Sequence, residues 1–414
     1  MPYKREIDDR WTYREANTKE YTHGYHVYPA MMIPQIARAL IEEYAPEGKL
    51  KLLLDPYMGS GTSLVEASIK GINAVGTDLN PLARLMSTVK TTHYDYDVIV
   101  GQYTDLDFKL SYYDESKVAK TDFSHISNYT YWYSDDVLLK LSYIEQLVAD
   151  LPSNNDFFKL ILAEIVREVS FTRNGEFKRF RMSADRIANY HPDPFELFRR
   201  KAKRNIKGLK EFNAVEARPR ITICDFNSTY GIPSDILKKR SVDMVVTSPP
   251  YGDSRTTVAY GQFSRWANEW FGFDNAKNLD AELMGGHKSR DIEFESVELA
   301  ETLSEIKKLD EARYWDVISF LNDYWKSISN VASVIRKGGR VCYVVGDRRV
   351  KGIQIALDYF TAEMFEKCGF EHVNTIVREI PSKRMPTLTS PTNKTGNHVQ
   401  TMSHEYIVIL TKVK

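Results

Sequence analysis

Apolar and polar positions in the first part of the chain follow two periods. Residues 29–45 carry Ile33, Ile36, Ala37, Leu40 and Ile41 at helical spacing, which predicts an amphipathic helix. Lys51-Leu52-Leu53-Leu54 is a short apolar run that stops at Asp55-Pro56 and predicts a buried strand. Gly59 and Gly61 predict a turn, residues 63–70 a helix, and residues 73–77 a second strand closed by Asp78. Strand, glycine turn, helix, strand is a parallel β-α-β unit.

From about residue 85 to 220 the texture changes: helix-like stretches at 136–150 and 157–169 sit between Tyr-rich and basic segments. Strand character returns at Ile221–Asp225 and at Val242–Val246, the second running into Thr247-Ser248-Pro249-Pro250-Tyr251. An amphipathic helix over about 313–335 follows, then a Gly338-Gly339 turn into a strand at 340–345. A helix near 354–368 and strands near 372–380 and 405–411 finish the chain. The expected fold is α/β: a doubly wound, mostly parallel sheet with a mostly helical insertion. It divides the chain into 1–84, the insertion 85–220, and 221–414.

Composition changes this picture little. The chain has 414 residues, 43% hydrophobic and 27% charged, enough for a large core without disulfides or structural metals. Cys224, Cys342 and Cys368 are widely spaced and odd in number, so neither a disulfide framework nor a zinc site is expected, and a reducing, cytoplasmic setting fits. No leader opens the chain and no apolar stretch is long enough to span a membrane. Lys+Arg and Asp+Glu both count 56, so any case for nucleic acid must come from local clusters.

Two motifs carry chemistry. In Asp55-Pro56-Tyr57-Met58-Gly59-Ser60-Gly61-Thr62 the glycines let a ligand approach the backbone where a helix N-terminus presents free N–H groups. The spacing is neither GxGxxG nor a P-loop, so neither a nicotinamide cofactor nor ATP is the natural ligand. Asp78, ending the next strand, sits where a carboxylate could hold ribose hydroxyls. In Thr247–Tyr251 two prolines remove two N–H donors and leave a rigid, carbonyl-rich loop at the carboxyl end of a strand. Such carbonyls suit an aromatic amino group, which offers two protons, and Tyr251 could stack on a flat base. A plain structural turn is the bland alternative for each motif; their occurrence together argues against it.

These motifs resemble those of amino-methylating DNA methyltransferases. Asp55–Thr62 is similar to the cofactor motif of that family. Thr247–Tyr251 is similar to its catalytic motif, in the Ser-Pro-Pro-Tyr form associated with cytosine-N4 enzymes; Asp or Asn in place of Ser is commoner in adenine-N6 enzymes. His23–Ala30 resembles the segment ahead of the cofactor motif, and Ile380–Met402 resembles a late loop of restriction-modification methylases. The resemblance implies a Rossmann-like methyltransferase sheet and S-adenosyl-L-methionine, held by His26, Tyr28, Pro29, Asp55, Tyr57, Gly59, Gly61, Thr62 and Asp78, with Asp225 placed to reach the adenine. It implies catalysis by Ser248, Pro249, Pro250 and Tyr251 on a flipped base of double-stranded DNA, no metal, a partner restriction endonuclease as a possibility, and the insertion as target-recognition region. Cytosine-C5 chemistry needs a cysteine nucleophile, and none of the three cysteines sits in such a motif.

DNA contacts are expected from Arg173, Lys178, Arg179, Arg181 and Arg186, interleaved with Phe177, Phe180 and Met182. Further candidates are Arg255 with Arg265 after the catalytic loop, and Lys383 with Arg384. The run from Arg199 to Lys210 reads equally as a DNA contact or a solvated helix face. His26 is better explained by packing or cofactor contact than as a base. Tyr131, Trp132 and Tyr133 read as core, and Trp266 and Trp270 as one buried helix face. The competing functions are an adenine-N6 DNA enzyme, an RNA guanine-N2 enzyme, which would normally carry an RNA-binding domain ahead of a fold that here starts by about residue 25, and a non-catalytic nucleic-acid-binding module.

Overall fold

The structure, a computed structural model, describes residues 3–119, 121–253, 258–346, 348–380 and 404–414. Its strands are β1 (Arg5–Ile7), β2 (Leu52–Asp55), β3 (Asn73–Thr77), β4 (Ile221–Cys224), β5 (Val242–Thr247), β6 (Ile335–Gly346), β7 (Arg348–Val350), β8 (Ile353–Ile355), β9 (Phe370–Glu379) and β10 (His404–Lys412). Among the described residues eight of them form one sheet in the order β1-β9-β10-β6-β5-β2-β3-β4, and β7 and β8 pair as a separate hairpin. From β4 through β6 the strands are parallel. β10 runs antiparallel between β6 and β9, and β1 adds to β9 in parallel.

Alternation along β6 shows why both sheet faces are covered. Val341, Tyr343 and Val345 pack with Phe320, Ile328 and Phe360 from the helices Glu311–Val334 and Leu357–Lys367. Cys342 and Val344 pack on the other face with Ile36, Leu40 and Leu64 from the helices Pro34–Glu43 and Thr62–Ile69. The chain therefore matches the expected doubly wound, mostly parallel α/β sheet.

The order of winding places the site. From β2 the chain moves outward through β3 to β4, then returns to lay β5 on the opposite side of β2. Helical connections on the two sides of β2 diverge, opening a crevice at the carboxyl ends of β2 and β5.

The insertion supplies the helices Tyr96–Ser111, Asp135–Ala149, Asn155–Glu168 and Pro194–Asn213. Asp95 and Asp193 cap the first and last of these by accepting from Val98 N (3.0 Å) and Phe195 N (2.9 Å). Their core, around Phe157, Phe158, Ile161, Phe198 and Leu209, is continuous with Leu82, Met86 and Val89 of the helix Pro81–Thr91 and with Phe263, Trp266 and Trp270 of the helix Tyr260–Trp270. The expected division at 84/85 thus falls inside a helix, and the insertion shares its core with the elements flanking the crevice.

Two boundaries differ from expectation for local reasons. The helix expected over 29–45 starts at Pro34, because a residue preceding proline avoids the helical region; Ile33 is extended, at φ −66° and ψ 128°. Residues 29–32 are left as a loop on the crevice. β6 begins at Ile335 instead of after Gly338-Gly339: Val242 pairs with Ile335 but Met244 with Arg340, so a bulge absorbs the turn. Among the described residues no helix is long and apolar enough to cross a membrane, and no group of three or more His, Cys, Asp or Glu side chains could hold a metal ion.

Candidate active site

The crevice encloses about 930 Å³, counting its open mouth. Its floor is the turn after β2. Asp55 is buried and takes hydrogen bonds from Thr247 Oγ1 at 2.6 Å and from Tyr57 N at 3.2 Å, which ties the ends of β2 and β5 together. Gly59 and Gly61 adopt φ of +47° and +78°. These left-handed conformations bring Gly61 N to Met58 O at 2.7 Å and let the turn reverse into the helix Thr62–Ile69. Asp78 receives Gly59 N–H at 3.0 Å and Asn80 N–H at 2.8 Å, one on each carboxylate oxygen. Burial pushes both Asp55 and Asp78 up to about 6.

The walls come from elements far apart in sequence. Tyr28, Pro29 and residues 30–32 close one side; Phe226, Asn227 and Ser228 follow β4 on another; Ser248 and Pro250 follow β5; Tyr260 and Met284 complete the lining. Asn80 organises one corner, donating to Tyr28 Oη at 2.9 Å and Ser264 Oγ at 2.6 Å while accepting from Asn268 at 3.1 Å. A crevice that is mostly apolar but carries two convergent carboxylates suits a ligand with both an apolar part and hydroxyl or cationic groups.

Of the residues singled out from sequence, Tyr28, Pro29, Asp55, Tyr57, Gly59, Thr62, Asp78, Ser248 and Pro250 line this cavity. Gly61 instead packs against Ser87, where a Cβ would lie 2.7 Å from Oγ. His26 is buried with Nδ1 2.5 Å from Val27 O, and burial lowers it to about 4, next to Glu164, Lys201 and Arg204 of the insertion. Asp225 is exposed, and the lining is taken by the three residues after it. Pro249 is buried, and Tyr251 is half-buried, packed in part against the core. The Tyr251 hydroxyl lies 3.0 Å from Ser248 Oγ and donates to Glu405 Oε1 at 3.0 Å. Burial, then the Glu405 charge, holds that phenol far above its ordinary range.

Sequence reasoning missed Asn80, Phe226, Asn227, Ser228 and Glu405. Asn80 did carry a signal, since Asn before Pro81 is a helix start and it accepts Leu82 N–H at 3.2 Å. The others arrive by strand order alone.

The basic residues divide by their partners. Thr172 and Arg181 form a bridge, and Arg173 N donates to Phe180 O at 2.8 Å, so the cluster sits on a hairpin-like loop. Arg179 lies over Trp266 at 4.6 Å, and Arg181 lies over Tyr131 at 4.1 Å while donating to Tyr131 O at 2.9 Å. Burial, then Arg265, lowers Arg179 to about 10. Arg173 and Arg186 are exposed; Arg173 pairs with Glu176 at 3.5 Å. Along the helix Pro194–Asn213, Arg199 pairs with Asp107, Arg200 with Glu168, and Lys201 and Arg204 with Glu164. Four cations of that run are thus paired within the insertion, while Lys203, Lys207 and Lys210 are exposed. As expected, Trp266, Trp270 and Tyr133 are core; Trp132 is half-buried and Tyr131 exposed. Arg255, Lys383 and Arg384, with the late loop 380–402 beyond its first residue, lie outside the described residues.

Comparison with known proteins agrees with this geometry. Residues 1–86 match the model of a DNA methylase family. The chain is 37% identical over 421 residues to the type II methyltransferase M.MvaI of Kocuria varians, covering 95% of this chain and 92% of that one. It is 21% identical over 425 residues to the type II methyltransferase M.BsoBI of Geobacillus stearothermophilus, covering 87% and 80%.

Proposed function

Given that the chain belongs to the amino-methylating type II DNA methyltransferases, which use S-adenosyl-L-methionine, we propose that it methylates the N4 amino group of cytosine within a specific sequence of double-stranded DNA. One observation carries this reading: Ser248, in Ser-Pro-Pro-Tyr, opens onto the same cavity as Asp55, Gly59 and Asp78. Serine at that position, where adenine-N6 relatives more often have a carboxylate or amide, supports cytosine.

The cavity fits the cofactor. Asp78 is anchored by two backbone N–H groups yet keeps lone pairs for ribose hydroxyls. Asp55 and Tyr57 suit the methionine end, Phe226 the adenine, and Gly59 and Thr62 the backbone approach between them. When bound, S-adenosyl-L-methionine supplies an electrophilic methyl group on its sulfonium. The chain's own task is to make the amino nitrogen a nucleophile. Its lone pair is delocalised into the ring, so Ser248 Oγ and the Pro249 carbonyl each accept a hydrogen bond from one amino N–H and draw the pair back onto nitrogen. Positioning and electrostatics do this work, with no covalent enzyme intermediate. The base must leave the duplex, at a cost of about a few kcal/mol, offset by its fit in the cavity.

The insertion, resting on the elements beside the cavity, is assigned to target recognition, with Arg173, Lys178, Arg179 and Arg181 on the DNA side. A partner endonuclease of the same specificity belongs to this reading. The test is mass spectrometry of nucleosides from plasmid DNA incubated with enzyme and cofactor. N4-methylcytosine is expected. N6-methyladenine would keep the mechanism and overturn the base; modification of RNA alone would overturn the substrate.

A further inference from the structure

The catalytic loop does not end at Tyr251. We propose that Glu405, anchored by Arg378, fixes the direction of hydrogen bonding through Tyr251 so that Ser248 faces the target amino group purely as an acceptor. This rests on the function proposed above and adds two positioning residues on strands β9 and β10.

Arg378 is buried, and a guanidinium can only donate. It gives Nε–H to Trp11 O at 2.7 Å and Nη2–H to Thr12 O at 3.4 Å, and pairs through Nη1 with Glu405 Oε2. Glu405, ion-paired, can only accept, and its other oxygen takes the Tyr251 hydroxyl proton at 3.0 Å. A phenol has one proton, so Tyr251 has none left for Ser248. The 3.0 Å contact between Ser248 Oγ and Tyr251 Oη must therefore carry the serine proton. Ser248 has then spent its only donor on the loop side and turns two lone pairs to the cavity it lines. An amino group presents hydrogens there, so an acceptor is what the reaction needs. A serine free to rotate would offer its own proton part of the time and repel the substrate.

Glu405→Gln tests this with little change of shape. Arg378 would hold the amide oxygen, leaving the NH₂ to donate to Tyr251; the phenol proton would turn to Ser248, and the serine proton to the cavity. The rate of methyl transfer in a single turnover should fall about 10- to 100-fold, with cofactor and DNA dissociation constants within about threefold of wild type. Tyr251→Phe should behave alike. The decisive readout is the background: Glu405→Gln added to Tyr251→Phe, or to Ser248→Ala, should lower the rate no further. A merely structural role for Glu405 would add in both backgrounds and weaken cofactor binding with it. A wild-type rate in Glu405→Gln, or additive losses, overturns the proposal while leaving the methyltransferase reading intact. Absence of transfer by the wild-type enzyme on any nucleic acid would overturn that reading instead.

Discussion

Gly59 and Gly61 are two residues apart in one turn, both left-handed, yet alanine at each should do different damage. At Gly61 an added Cβ meets Ser87 Oγ at 2.7 Å and Ser87 Cα at 3.1 Å. The second contact is backbone, so it cannot be relieved by a rotamer change. The left-handed conformation costs alanine about 1–2 kcal/mol, and overpacking typically another 1–3. Gly61→Ala should therefore destabilise the fold by about 2–5 kcal/mol. At Gly59 the nearest atom to an added Cβ is Tyr28 Cε1 at 3.5 Å, ordinary contact. Only the conformational cost remains, about 1–2 kcal/mol. But Gly59 and Tyr28 both line the cavity, so the methyl group occupies cofactor space. If it costs the complex about 1–3 kcal/mol of overpacking, affinity falls roughly 5- to 150-fold. Denaturant unfolding and titration calorimetry with S-adenosyl-L-methionine separate the two effects. Wild-type affinity in Gly59→Ala, or equal destabilisation by both variants, would refute the assignment of the turn to the cofactor.

Two further outcomes follow from the electrostatics. Asp55 and Asp78 sit near 6, above their ordinary 3.8, so they favour the folded apo-protein at low pH and that contribution is lost as pH rises through about 6. Cofactor binding has the opposite sign, because it needs the ionised acids: affinity should drop about fivefold between pH 6 and 5 for each carboxylate, and a calorimetric profile flat over that range would contradict their role. For DNA, affinity should fall steeply with salt, and Arg173→Ala or Lys178→Ala should each reduce the log–log salt slope by about one. Arg179→Ala and Arg181→Ala should also lower thermal stability, since each guanidinium covers an aromatic ring; unchanged slopes in all four would remove this loop from the interface.

What was legible in the sequence was what is encoded locally. The turn after β2 needs glycines at fixed offsets, and the loop after β5 needs its two prolines, so both motifs announce themselves within eight residues or fewer. The strands β2 and β5 could be read because burial on both faces demands mostly apolar runs; Asp243 interrupts the run in β5, and its carboxylate takes the N–H groups of Lys51 and Leu52. Partnerships across the sheet could not be read. Glu405 is one acid just ahead of the continuous apolar run Tyr406–Leu410, and nothing near it in sequence says that β10 lies two strands from β5 and offers its carboxylate to Tyr251. The charge run on the helix Pro194–Asn213 was ambiguous for the same reason: its acids, Asp107, Glu164 and Glu168, lie on other helices of the insertion. Asp225 was displaced by a smaller effect, since β4 ends at Cys224 and the chain turns so that Phe226 to Ser228, not Asp225, meet the cavity.

The placement of the insertion has a physical consequence of its own. The Asp55–Thr62 turn and the Thr247–Tyr251 loop meet because β2 and β5 are neighbours, and that adjacency holds whichever strand comes first in the chain. What chain order decides is where the extra helices attach. Here they leave after the helix Pro81–Thr91 and return into β4, which packs them against Tyr25, Tyr28 and the helix Tyr260–Trp270. Tyr28 lines the cavity, bonds Asn80, and at the same time belongs to the core of the insertion. Displacing the insertion would therefore disturb the wall of the cofactor cavity directly, through packed side chains and one hydrogen bond. If the insertion reads the target, as proposed, this packing would couple the fit of DNA to the methyl-transfer site without any moving hinge between separate domains.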